Sequence, residues 1–127
     1  MHALQRMHNY DLAWRVIGHF LTHPDDFHQD DWHWCFGGWA ARLSGWEPID
    51  DPLAMVKDGH ADTVEHIATI ELGITDLESR WCLFASDNTM GELLTVLVRW
   101  GTADGIPIPN EIRAAHVQAL REEAERA

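Results

Sequence analysis

Residues 30–46 read DDWHWCFGGWAARLSGW and hold four of the chain's seven tryptophans, one of its two cysteines and an adjacent glycine pair. At about 100° per residue, Cys35, Trp39, Leu43 and Trp46 project to one side with Phe36 beside them. Trp34, Gly37, Ala41 and Ser44 form a stripe of mostly small residues on the other side. The only charge between Trp34 and Gly45 is Arg42. A helix without a charged face is normally surrounded by protein. Two successive glycines inside it cost about 1 kcal/mol each relative to alanine. A close approach by a neighbouring backbone or an indole ring would account for them. Residues 34–44 are therefore expected to form the central helix of the core, stopped by Gly45.

Working outward, the pattern stays helical. On the N-terminal side, Asn9 can cap a first helix whose Ala13, Val16, Ile17, Phe20 and Leu21 follow one buried stripe. His23-Pro24 ends it, because the residue before proline is driven out of helical geometry. An acidic turn, PDDFHQDDW, leads into the central helix. On the C-terminal side, Pro48 and Pro52 mark a loop over residues 46–60, in which LAMV could make a short turn. A third helix is expected from about Ala61 to Leu72 with Val64, Ile67, Ala68 and Leu72 inward, stopped by Gly73. Two capping boxes follow, Thr75 with Glu78 and Thr89 with Glu92. They open helices four (Leu77, Trp81 and Phe84 inward) and five (Met90, Leu93, Leu94, Leu97 and Trp100 inward). A closing helix begins at Pro109 or Asn110, carries Ile112, Ala115, His116, Ala119 and Leu120, and frays at its polar end. No run alternates with period two for long enough to make a convincing strand. The expected fold class is all-α, a bundle of five to six helices in a single domain, with an ordered core from about residue 9 to about residue 120.

The chain has 127 residues, within the range of one domain with one core. Its longest apolar run, around residues 93–98, is too short to cross a bilayer. The first twenty-one residues do not read as a signal peptide, because Asp11, Arg15 and His19 interrupt them. A cytoplasmic protein is expected, with Cys35 and Cys82 as reduced thiols among large apolar neighbours. Twenty-one acidic residues against nine basic ones give a net charge of −12. Such a surface repels phosphate, which disfavours direct nucleic-acid binding and docking on anionic lipid. The only lysine is Lys57, an arginine bias of the kind a GC-rich genome produces.

CFGGWAARLSG, preceded by HPDDFHQDDW, resembles a pattern in small uncharacterised helical proteins of actinobacteria and their phages. That pattern has a proline-acidic turn, a tryptophan and then C-x-x-G-W-A, with leucine and glycine after it. A leucine-glycine-aliphatic-threonine turn follows, matched here by Leu72-Gly73-Ile74-Thr75. The resemblance spans roughly residues 20–100. This chain lacks the second cysteine upstream of Cys35. The resemblance implies origin and a helical fold, and carries no activity.

Chemistry-bearing residues gather in the acidic turn. His23, His28 and His33 recur every five residues beside Asp25, Asp26, Asp30 and Asp31, a donor set suited to zinc or nickel. Successive histidines at that spacing diverge by about 140° on a helix, so they do not chelate from one face. Cys35, near a helix start and two residues from His33, is a candidate nucleophile, against which stand its apolar neighbours. No nucleophile-elbow, zincin, C-x-x-C or phosphate-loop motif is present. No cofactor is expected. Trp32 and Trp46 flank the central helix among acidic residues, glycine and proline, where an indole serves either as packing under the loop or as an anchor for a partner. The expected function is a non-enzymatic binding module that engages a basic surface on a host or cellular protein through Asp25, Asp26, Asp30, Asp31, Trp32 and Trp46. A metal- or cysteine-dependent enzyme built on residues 23–35, and a self-associating structural protein that buries tryptophan in a homodimer, are the alternatives.

Overall fold

In the computed structural model, which describes residues 5–126, six α-helices follow one another: α1 Tyr10–Thr22, α2 Phe36–Leu43, α3 Val64–Leu72, α4 Leu77–Phe84, α5 Met90–Ala103 and α6 Asn110–Arg126. The expectation of frayed termini falls partly on residues 1–4 and 127, which lie outside the described residues. Several starts and stops follow from local chemistry. The Asn9 side chain accepts the Leu12 amide at α1, and Thr89 and Glu92 form the reciprocal capping box at α5. Gly73 ends α3 in the left-handed conformation at φ 67°, where glycine avoids the Cβ penalty. At α4 the expected box does not form. The Thr75 hydroxyl donates to the Gln5 carbonyl at 2.8 Å, and Asp76 caps the helix by accepting the Ser79 amide at 2.7 Å.

The fold is mostly helical but not all-α. Strands β1 Glu47–Pro48, β2 Ala54–Lys57 and β3 His60–Thr63 form an antiparallel sheet in the order β1-β2-β3. The overlooked signal is Asp58-Gly59. Both residues have positive φ, 51° and 80°, and they join Lys57 to its cross-strand partner His60. A two-residue turn with both φ positive matches the twist of a hairpin, and Asp-Gly favours it. The hairpin takes residues 61–63 from the expected third helix, which starts instead at Val64 with Thr63 as its cap.

α2 packs against α1, α3 and α4, and Phe36, Gly37, Gly38, Ala40 and Ala41 are all buried. The two glycines have separate reasons. A Cβ at Gly38 would stand 2.2 Å from the Trp32 carbonyl oxygen, so the chain entering the helix occupies that space. A Cβ at Gly37 would meet the Phe84 ring at 3.1 Å and the Ala68 methyl at 3.3 Å. The neighbours are thus a backbone and a phenyl ring. The main core joins α1, α2, α3, α4, α5 and Ile112 of α6. A smaller cluster of Ala41, Met55, Val64 and Ile67 sits beneath the sheet, with Trp32 and Trp46 against it.

The face of α4 differs from expectation. Leu77 and Trp81 are 62% and 65% exposed, while Ser79, Leu83 and Phe84 point inward. Phe84 is held by Gly37 and by the edge of Trp32, whose ring centroid lies 5.8 Å away. Leu21 and Leu120, expected on buried stripes, are also exposed. Among the described residues no helix is long and apolar enough to cross a membrane.

Candidate functional site: an acidic, aromatic cleft

The turn between α1 and α2 is built by its backbone and by one buried amide. Pro24–Asp26 forms a single 3-10 turn. Gln29, 8% exposed, carries the next part. Its Nε2 donates to the Leu83 and Ala85 carbonyls at 2.9 and 3.1 Å, and its Oε1 accepts the Phe36 amide at 3.0 Å. One side chain thereby satisfies an orphan amide at the start of α2 and carbonyls at the end of α4. Asp31 then accepts three amides, those of Trp34 and Cys35 on its carbonyl and that of His33 on its carboxylate.

This turn raises one wall of an open cleft of about 580 Å³, and the hairpin's approach supplies the other. His28, Asp30, Asp31, Trp32, Trp34, Pro52 and Leu53 line it. Asp30 and Asp31 are exposed, Trp32 and Trp34 are half-buried, and Leu53 is 54% exposed. His28 meets the Trp34 ring edge-on, with centroids 6.1 Å apart.

A column of stacked rings stands behind Trp34. The Arg42 guanidinium lies 4.6 Å from the Trp34 centroid and 5.0 Å from that of Trp39. Its Nε donates to the His33 carbonyl at 2.8 Å. Partial burial lowers the Arg42 pKa, and Asp26 and Asp31 oppose that shift. His19 stacks on Trp39 at 4.0 Å and His23 on His19 at 4.6 Å. The Trp39 indole donates to the Asp26 carbonyl at 3.0 Å, and the His19 Nε2 meets the Asp26 carboxylate at 2.8 Å.

The candidate residues are therefore sorted by the fold. Asp30, Asp31 and Trp32 share the cleft. Asp25 is exposed on the 3-10 turn, and Asp26 is engaged by His19. Trp46 packs under the sheet in the smaller cluster, away from the cleft lining. The histidines are not brought together: His23 stacks on His19, His28 lines the cleft, and the His33 Nε2 donates to the Ala54 carbonyl at 2.8 Å. Among the described residues no three His, Cys, Asp or Glu side chains are grouped so as to hold a metal ion.

Cys35 is the N-cap of α2, its sulfur accepting the Gly38 amide at 3.3 Å. It is 2% exposed. Burial pushes its thiol up to about 11 against the lowering effect of the nearby amides. At neutral pH the group is a thiol, whereas a nucleophile needs an accessible thiolate. Cys35 and Cys82 are both free.

Trp34, Pro52 and Leu53 line the cleft without being among the residues expected to bind. Helical spacing places Trp34 in the central helix, yet α2 begins at Phe36, which leaves the indole on the turn. Leu53 between Pro52 and the first β2 residue was the available signal. Comparison of the chain with protein-family models, with curated proteins and with solved structures gave no match.

Proposed function

We propose that this chain is a cytoplasmic binding module that uses the cleft beside Asp30 and Asp31 to hold a basic segment of a protein partner. If the resemblance to phage and actinobacterial proteins reflects origin, the partner is a host or cellular protein. The observation that carries the reading is the joining, in one cleft, of the Asp30 and Asp31 carboxylates, neither in an ion pair among the described residues, to indole and aliphatic walls. Among the described residues no lysine or arginine forms an ion pair with a carboxylate; the two contacts of that kind use histidine, His19 with Asp26 and His66 with Asp62. The acidic exterior thus has no close pairing with lysine or arginine among the described residues, and a basic partner would supply it. Complementary charge raises the rate of encounter, and desolvated aromatic contacts hold the complex.

Calorimetric titration with short cationic and anionic peptides of equal length tests this. Binding of the cationic peptide at about 0.05 M salt, weakened at about 0.5 M, is expected, because the screening length shrinks from about 14 Å to about 4 Å. Absence of cationic binding at low salt would refute the reading.

Self-association is a second reading, favoured by Leu77 and Trp81, which lie exposed one turn apart on α4. Its measure is sedimentation equilibrium at two concentrations, where a constant monomer mass would remove it.

A further inference from the structure

We propose that the cleft selects arginine over lysine in that basic segment. This deepens the reading above and rests on it. The walls combine two requirements that a guanidinium meets together. Trp32, Trp34, Pro52 and Leu53 supply indole and aliphatic surface, while Asp30 and Asp31 supply carboxylates in the same cleft. A guanidinium is planar and weakly hydrated, stacks on an indole and still directs its N–H fork at a carboxylate. An ammonium is a compact, strongly hydrated charge, and an apolar wall strips its water without replacing the hydrogen bonds.

The protein lays its own guanidinium on indole rings next door, with its Nε donating to the His33 carbonyl. Arg42 lies over Trp34 and Trp39, at 4.6 and 5.0 Å, within the field of Asp26 and Asp31. Trp34 therefore serves both sites: it carries Arg42 and lines the cleft. The tie through Gln29 fixes the turn that bears these residues before any partner arrives, which limits the ordering cost of binding. The cleft is open and far larger than one side chain, so it suits a residue presented by an extended segment.

The test is calorimetric titration of the full chain with two peptides of identical charge and spacing, one carrying two arginines and the other two lysines, beside the variants Asp30→Asn and Leu53→Ser. Both substitutions change exposed side chains, and circular dichroism checks that each variant is folded. The arginine peptide is expected to bind about fivefold tighter, the scale of one cation–π contact. Asp30→Asn should weaken it roughly threefold, and Leu53→Ser should reduce the arginine preference. Equal affinity for the two peptides overturns the selectivity and leaves the basic-partner reading standing. Binding of neither peptide overturns both. Arginine preference that neither variant alters places the site elsewhere and overturns the assignment to this cleft. The outer face of α6 carries Arg113 and Arg121 beside Val117. Self-association that Asp30→Asn abolishes and the arginine peptide fails to displace would assign the cleft to a second copy's α6 and likewise overturn the proposal.

Discussion

The turn leading into α2 and the helix α4 both carry tryptophan on a helix-period apolar pattern, and they use it in opposite ways. In α2 five of the eight residues are buried and none is exposed, and Trp34 and Trp39 are bound up with Arg42 and His19. On α4 the expected core residue Trp81 is 65% exposed, while Ser79 is fully buried with no partner for its Oγ. Periodicity defines a stripe but does not say which stripe faces in. Around α2 the question hardly arises, because the helix has one charge and neighbours on several sides. On α4 long-range contacts decide it. Phe84 sits against Gly37 and Trp32, and Gln29 takes the carbonyls of Leu83 and Ala85. The orientation of α4 is imposed by the turn some fifty residues earlier.

Breaking that tie should have the largest effect. Gln29→Leu leaves the Phe36 amide and the Leu83 carbonyl without a partner, while the Ala85 carbonyl keeps the Asn88 amide, and each buried unpaired group costs about 1–3 kcal/mol. With part of the loss offset by leucine burial, a destabilisation of about 3 kcal/mol is expected in urea denaturation. A change below about 0.5 kcal/mol would show that Gln29 does not join the two helices.

A pair of glycine substitutions sharpens the contrast between enclosed and open helix faces. Alanine at Gly38 places its methyl 2.2 Å from the Trp32 carbonyl, and overpacking of that kind outweighs the helical preference for alanine, for a net loss of about 2 kcal/mol. Alanine at Gly18, in the middle of α1, meets nothing within 4 Å and should stabilise by about 0.5–1 kcal/mol. Effects of the same sign would contradict the packing described for α2. On the open side, Leu77→Ser and Trp81→Ser should shift the denaturation midpoint little, by less than about 0.5 kcal/mol each. A larger loss would place them in an interior.

The smallest effect concerns pH. Burial and the nearby Arg99 depress the His116 pKa below its ordinary value of 6.5. The unfolded chain therefore binds this proton more readily than the folded one. The stability contributed by neutral His116 is complete above about 6.5 and is lost as pH falls through the lower folded value. Thermal midpoints of His116→Gln should fall less steeply between about pH 6.5 and about pH 5 than those of the native chain. Parallel curves would remove His116 as a contributor.

Most helix ends were legible because they depend on neighbours in sequence: Asn9, Thr89 with Glu92, and Gly73 act over one turn of chain. The Asp58-Gly59 hairpin was equally local. Its strands are hard to read because β2 has only four residues and Pro48 and Pro52 stand just before it. Of the candidate site, the carboxylates and Trp32 could be read from composition. Trp34 and Leu53 could not be joined to them, because their meeting depends on the hairpin folding back beside the turn. Gln29 left no trace in any local pattern, since all its partners except Phe36 are distant in sequence.

The most direct test of the account is to follow the indole N–H resonances while an arginine-bearing peptide is added to the labelled protein. The signals of Trp32 and Trp34 are expected to move in a saturable way while that of Trp81 stays in place. Movement of Trp81 with Trp32 and Trp34 unchanged would contradict it, placing the binding face on α4.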